Sequence, residues 1–363
     1  MPHNMEAPAG AAGRGLVLPP VTAKDVAREA GVHTSTVSRS LDPLQQSRIS
    51  PETRARVIEV ARRLGYRPHF TASSLRRQRT MTVGVTVPSF RNPVYGALIQ
   101  SIGEDLQALG YSALFLADPD GSDQTEATFN TLLDRRVDGI ICTSAREGDQ
   151  ALLERVVATG TPVVMAMRWL EGLPQIPVAR TDDHLGGAMA AQHLIDLGHR
   201  RLIEVPGPTQ IMNFPARSAG FAERAAAVNG VEQVMHDLSG AAPTVESGYD
   251  TTRALLARGL FEGVTGVFAP NDLIAMGAIE ALSESGRVCP TDVSVVGFND
   301  SMLSDRLSPA LTTLRAPVAE EGALAVRALA SLMGVTDEAV DMTPPAPMLI
   351  PRASTRAPRV LPR

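Results

Sequence analysis

The stretch VTAKDVAREAGVHTSTVSRSLD, residues 21–42, concentrates side chains suited to reading a nucleic acid. An arginine fork bonds guanine O6 and N7 together, so Arg39 is the strongest candidate for a base contact. Thr34 and Ser35 lie with it on the accessible side of a short helix. Thr22, Thr36 and Ser38 carry short hydroxyls of the kind that bond phosphate oxygens.

A second set of polar residues follows apolar runs further along. Phe90, Asn92 and Tyr95 come after TVGVTV, Asn271 and Asp272 after TGVFAP, and Asn299 and Asp300 after VSVVGF. Planar amides beside an aromatic wall suit a hydroxyl-rich ligand such as a sugar or nucleoside. Arg168 and Trp169 follow TPVVMAM. An arginine there suits an acidic ligand if it enters a cleft, and a surface role if it does not; both readings stand.

Other chemistries have no residues to run on. Lys24 is the sole lysine, which excludes a P-loop and a Schiff-base lysine in the body. There is no G-x-S-x-G elbow and no H-E-x-x-H helix. His193 and His199 are six apart and do not share a helix face, so GH in LGHRRL reads as structural. No catalytic residue, cofactor or metal is expected, and the chain reads as a non-enzyme.

The elements that position these residues fall into two regimes. Residues 21–67 read as three short helices. The first starts at Thr22, with Asp25 completing a capping-box-like start, and Gly31 supplies the turn. The second spans about Thr34 to Leu41. The third opens on Ser50 and Pro51 and stops at Gly65 and Pro68. Val21, Val26, Ala27, Ala30, Val32, Val37 and Leu41 can close a small core, with Val57, Ala61 and Leu64 at helical spacing on the third helix. From residue 81, short apolar strands (TVGVTV, SALFLAD, DGIICTS, TPVVMAM, RLIEVP, TGVFAP, VSVVGFND) alternate with helices such as Val94–Leu109, Gly187–Leu197 and Asp272–Ser283. That alternation predicts parallel, doubly wound α/β sheets, and the length predicts two Rossmann-like lobes.

Charge divides along the same line. Residues 21–80 carry 12 Lys/Arg against 5 Asp/Glu, whereas residues 81–363 carry 21 against 33. A basic module attracts phosphate while an acidic body keeps the protein off other polyanions. No apolar run is long enough to span a bilayer, and MPHNMEAPAGAAGRGLVLPP lacks a secretory apolar core. The first 20 residues read as a disordered tail and the chain as cytoplasmic. Cys142 and Cys289 lie far apart, which fits reduced thiols.

Residues 21–39 resemble the lactose-repressor (LacI/GalR) family pattern V-T-x-x-D-V-A-x-x-A-G-V-S-x-x-T-V-S-R, matching at Val21, Thr22, Asp25, Val26, Ala27, Ala30, Gly31, Val32, Thr36, Val37, Ser38 and Arg39. The resemblance continues through FRNPVYGALIQSIGEDLQALGY, TDDHLGGAMAAQHLIDLGHRRL, RSAGF, PNDLIAMGAIEAL and SPALTTLRAP, over roughly residues 21–355. It implies a helix-turn-helix domain (21–67) and a hinge (68–80). A two-lobed periplasmic-binding-protein-like core (81–363) would follow, with lobe 1 about 81–180 and 313–340, and lobe 2 about 181–312 and 341–363. It also implies Thr34, Ser35 and Arg39 as base readers, and places His33 where the family has a phosphate-contacting Ser. Asp42 stands where an Asn is usual, in a longer loop. In the hinge, residues 70–77 have length for two helical turns, too few to persist alone. There the resemblance makes Leu75, in the Ala72–Leu75 motif, a minor-groove wedge. Arg217 matches the family's effector-contacting arginine; Asn299 stands where Asp is more frequent.

The implied protein is a homodimeric transcription regulator, by family norm a repressor. It binds a pseudo-palindromic operator in double-stranded DNA, controlled by a sugar or related effector in the cleft. The C-terminus carries no leucine heptads, so no tetramerisation helix is expected. A transport-type binding protein has no use for residues 21–80, an enzyme lacks its constellation, and an architectural DNA binder has no need of a cleft-bearing body.

Overall fold

The computed structural model describes residues 21–41, 49–66, 79–121 and 123–359. Asp42 and its loop, and the hinge residues Ala72 and Leu75, lie outside the described residues. The chain divides into two compact units, Met1–Thr80 and Met81–Arg363.

In the first unit, α1 (Ala23–Ala30), α2 (Thr34–Leu41) and α3 (Pro51–Leu64) enclose one small core. The Thr22 backbone N–H and hydroxyl both donate to Asp25 Oδ2, at 3.0 and 2.7 Å. Gly31 ends α1 at φ 62°, a conformation glycine adopts without the Cβ penalty. Ser50 Oγ accepts from the Thr53 N–H at 3.3 Å to cap α3. Val26, Ala27, Ala30, Val37, Val57, Val60 and Ala61 are buried, with Val21, Val32, Leu41 and Leu64 packed at the margin. Full burial of a valine contributes about 2 kcal/mol, so truncating Val26 or Val37 removes a large share of so small a core.

The second unit has two sheets. The first runs in the order β2-β1-β3-β4-β5 and is wholly parallel: β1 Thr82–Val87, β2 Ser112–Ala117, β3 Gly139–Cys142, β4 Val163–Ala166 and β5 Val178–Ala179. Helices α4 (Val94–Ala108), α5 (Thr125–Asp134) and α6 (Gln150–Ala158) connect these strands. Two separate apolar clusters border the sheet, which is why its strands read as unbroken apolar runs.

The second sheet has the order β11-β10-β9-β8-β6-β7. It comprises β6 Arg201–Glu204, β7 Glu232–Val234, β8 Gly266–Phe268, β9 Ser294–Asn299, β10 Thr312–Arg315 and β11 Met348–Ile350. Around it lie α7 (Asp183–Asp196), α8 (Asn213–Ala226), α9 (Val245–Ala257) and α10 (Asp272–Glu284). After β10 the chain returns to the first sheet, where α11 (Val318–Leu332) packs on α4, β3, β4 and β5.

Three readings need correction. The return to the first lobe falls after Arg315, not at 313, because β10 is hydrogen-bonded to β9. The second sheet is not purely parallel: β11 pairs antiparallel with β10 as an edge strand. Helix α7 starts at Asp183 rather than Gly187, capped by Asp182 Oδ1 accepting from the Leu185 N–H at 2.9 Å. Gly187 is interior because another backbone crosses there. A Cβ on Gly187 would lie 1.9 Å from the Arg217 carbonyl oxygen, and one on Gly220 1.9 Å from that of His184.

Three passages join the lobes: residues 180–182, residues 316–317, and the segment between α11 and β11. The Asp182 N–H donates to the Pro345 carbonyl at 3.1 Å, tying the first passage to the third. No helix among the described residues is long and apolar enough to cross a membrane.

Candidate nucleic-acid interface and ligand cleft

On α2, Ser35 and Arg39 are four residues apart and exposed, so they share one face, and Thr34 with Ser38 forms the adjoining row. Arg39 takes no partner among the described residues. Val37 anchors the opposite face. His33 does more than replace a serine: its Nδ1 accepts from the Ser35 N–H at 3.2 Å and lies 2.9 Å from Ser35 Oγ. A backbone amide only donates, so Nδ1 is unprotonated and the ring proton sits on Nε2, a donor suited to phosphate. Ser35 is thereby held by His33. Thr22 fits the phosphate reading less well, since its O–H is committed to Asp25. Thr36 and Ser38 are half-buried beside these positions.

The cleft residues sort into an outer cavity and a buried floor. The cavity, of about 410 Å³, is lined by Asn92, Tyr95, Asp120 and Arg168 from the first lobe, and by Thr244 and Glu246 from the second. Thr244 caps α9 by accepting from the Ser247 N–H at 3.2 Å, so the start of that helix opens on the cavity. Asn92 Oδ1 accepts from the Val94 N–H at 3.2 Å, which leaves its amide N–H₂ for a ligand. Burial pushes the Tyr95 hydroxyl pKa up, keeping it a neutral donor. Phe90, expected as an aromatic wall, is 56% exposed and does not line this cavity.

Arg168 is buried, not on the surface. Its two terminal nitrogens donate to the two oxygens of Asp120 at 2.5 and 2.8 Å. The charge that favoured an acidic ligand is therefore already matched.

Arg217 belongs to the floor. Its Nε donates to Asp183 Oδ1 at 2.8 Å and Nη1 to the Pro270 carbonyl at 2.7 Å, and its guanidinium lies 3.7 Å from the Phe298 ring centroid. Nη2 has no partner among the described residues. Burial raises the Asp183 pKa, and Arg217 opposes the rise. Asn271 serves chiefly as the cap of α10, its Oδ1 accepting from the Leu273 and Ile274 N–H groups at 2.6 and 3.4 Å. Asp272 is fully engaged, accepting from the Ser301 N–H and the Ser304 and Thr313 hydroxyls.

Asn299 is buried at φ 110° with Oδ1 unpartnered, and Asp300 follows at φ 55°. Backbone held in such a region accompanies functional constraint. Asp300 bonds Arg315 and Arg352. The Trp169 Nε1, Asn213 Oδ1 and Glu321 Oε2 atoms are likewise buried and without partners. Among the described residues the other buried side-chain polar atoms without partners are Ser40 Oγ, Arg54 Nε and His236 Nδ1, and most buried polar atoms are satisfied.

Residues 22–69 match the family described as bacterial regulatory proteins, lacI family, and residues 191–355 match the periplasmic binding protein-like domain. The chain is 33% identical to the HTH-type transcriptional regulator DegA of Bacillus subtilis (strain 168), over 305 residues covering 83% of this chain and 88% of that protein. The chain belongs to the LacI family.

Another LacI-family relative, the ribose operon repressor of Escherichia coli (strain K12), is 32% identical over 315 residues, 85% of this chain and 92% of that one. A lac repressor dimer bound to operator and the anti-inducer ONPF matches with a TM-score of 0.82 at 26% identity, over 93% of this chain and 100% of that chain. As a LacI-family member the protein is a helix-turn-helix, DNA-binding transcription regulator with a two-lobed core.

The sequence passed over several polar groups of this LacI-family cleft. Asp120 lies three residues past β2, a strand-end position like that of Asn92, so the signal was available. Asn213 comes nine residues after β6 and Glu321 sits inside a helix, where nothing local sets them apart.

Proposed function

We propose that the protein is a cytoplasmic, non-catalytic homodimeric repressor whose operator affinity is set by an uncharged polyhydroxy effector, a sugar or sugar derivative, in the cleft. Charge balance in the cleft carries the effector class. Arg168 is matched by Asp120 and Arg217 by Asp183, and Arg91, which also lines the cavity, acts on Glu246 there, so the lining carries no net positive charge, while Arg217 Nη2 and the Asn92 amide offer donors and Asn299 Oδ1 an acceptor. Such a mixture suits adjacent hydroxyls, which donate and accept at once. The names of the relatives point the same way, one being a ribose operon repressor and another a lac repressor dimer on its operator.

A second copy of the chain suits the exposed Met302 and Leu303, 79% and 54% accessible, and the neighbouring groove of Met276, Ile279 and Leu307. On an operator, two α2 helices enter successive major grooves. Ser35 and Arg39 face base edges, with His33, Thr36 and Ser38 on phosphates. Arg217, Asn299, Tyr95 and Asn92 hold the effector.

Thermal unfolding of the full chain against neutral sugars, polyols and the corresponding sugar acids tests this. A ligand at 100 times its Kd stabilises by about 2.7 kcal/mol. A neutral hit that also changes affinity for an operator selected from random duplexes supports the reading. Hits confined to acids would overturn the charge argument.

A further inference from the structure

Glu321 lies in the first turn of α11 and is 2% exposed. It belongs to the first lobe, just after the 316–317 passage. Its Oε1 accepts from the hydroxyl of Thr181, so one bond ties the 180–182 passage to the start of α11, directly after the 316–317 passage. Its Oε2 is buried and has no partner. From α7 in the second lobe Asp183 faces it, and from α8 Arg217. Arg180 and Asp182 act in turn on Asp183. Strands β3, β4 and β5, against which α11 lies, contain no charged residue, and α4 meets this end of α11 with Leu98 and Ser101.

Two carboxyls from opposite lobes therefore share one arginine, whose Nε already serves Asp183. If both are ionised, one negative charge in this buried junction is unmatched, and like charges face each other across the lobe boundary. A proton on Oε2 removes that repulsion.

We propose that Glu321 is a proton-operated hinge: protonated, it lets the lobes close, and ionised, it repels Asp183 and drives them apart. The step is a simple loss of the Oε2 proton to solvent. Burial holds the carboxyl pKa up, to about 7, which places the change near neutrality. The lobes touch at the rim, where the Glu147 N–H of the first lobe donates to the Gln210 carbonyl of the second at 2.9 Å, a contact that separation would break. The device needs no effector, so its fate is separate from that of the sugar reading.

The test uses the full chain with Phe90→Cys on the first lobe and Asp250→Cys on α9, both exposed positions, and Cys289→Ser to remove the part-exposed native thiol. Fluorescent labels at the two sites report the separation of the lobes from pH 5.5 to 8.5. The separation should increase with pH through about 7 in the parent. Glu321→Gln, which keeps a Thr181 partner but cannot ionise, should hold the closed distance throughout, and Glu321→Met, of similar length, should do the same if the Gln variant folds poorly. Carbonyl-stretch infrared spectra should lose one protonated-carboxyl band at pH 6 in either variant. An unchanged pH response in the folded variants, or a parent distance that ignores pH, overturns the proposal.

Discussion

Arg168 and Asp120 meet as a two-point pair, Nη1 to Oδ1 at 2.5 Å and Nη2 to Oδ2 at 2.8 Å, inside the cavity wall rather than on the surface. The arginine side chain is 4% accessible and the aspartate 26%. Removing the aspartate leaves a buried cation, which commonly costs 3–5 kcal/mol; the partial exposure of Asp120 reduces this to about 2–3 kcal/mol. Asp120→Ala should therefore lower the urea midpoint accordingly and admit sugar acids alongside neutral sugars. A variant of wild-type stability would show that Arg168 is already solvated.

Helices α7 and α8 touch backbone to backbone at Gly187 and Gly220. A methyl group at either would enter a carbonyl oxygen on the other helix, and at Gly187 that carbonyl is Arg217's own. Backbone cannot yield as a flexible side chain does. Gly187→Ala should cost roughly 3 kcal/mol or more, at the upper end for point changes, and weaken effector binding by displacing Arg217. The unfolding midpoint and effector Kd check both halves. Loss of stability with unchanged effector affinity would mean that α8 absorbs the shift without moving the guanidinium.

That same contact shows where sequence reading ran out. Apolar runs of four to six residues marked β1, β3, β4 and β9, and cap residues marked α1 and α3, because both signals are local. Gly187, inside α7, looked like a helix start, since the reason for it is a helix 30 residues away. Strands β5 and β7 are two and three residues long and carry no pattern. Among site residues, Asn92, Tyr95 and Arg168 were legible as strand-end positions, and the cavity includes them. Phe90 was misplaced because adjacent residues leave a turn in different directions. Asp183 and Glu321 became visible only when the first and second passages brought them to the floor.

Two buried groups give stability opposite slopes with pH. Glu204, at the end of β6, accepts a hydrogen bond from Ser218 at 2.5 Å, and burial raises its pKa from 4.5 to about 7. The folded chain holds this proton more tightly, so the contribution is full below 4.5 and lost as pH rises through 7. Glu204→Gln should gain on the parent by up to ~3 kcal/mol at pH 8 and lose that advantage near pH 4. His199, bonded to Thr265 and the Arg356 carbonyl, is pushed down by burial from 6.5 to about 4. There the unfolded chain binds the proton more tightly, and stability is lost as pH falls from 6.5 to 4. Melting curves of the parent, Glu204→Gln and His199→Gln across this range separate the two arms. A Glu204→Gln advantage that does not vary with pH would remove ionisation as its cause.

The face of α2 proposed to read DNA separates an unpartnered arginine from residues bonded to one another. Arg39 projects from α2 with no partner among the described residues, whereas Ser35 is bonded to His33 on both its N–H and its hydroxyl. Arg39→Ala should cost about 1–3 kcal/mol on the selected operator and relax discrimination at one base pair in each half-site, with little change on unrelated duplexes. His33→Ala removes the acceptor for a helix N-terminal N–H. It should lower the thermal stability of the first unit by about 1 kcal/mol and weaken operator and unrelated DNA alike. His33→Ser restores a capping oxygen and should recover the stability, and its DNA affinity then shows whether Nε2 reaches a phosphate. Electrophoretic shift across a salt series reads both quantities. Equal loss for Arg39→Ala on all sequences would reassign that side chain from base to backbone.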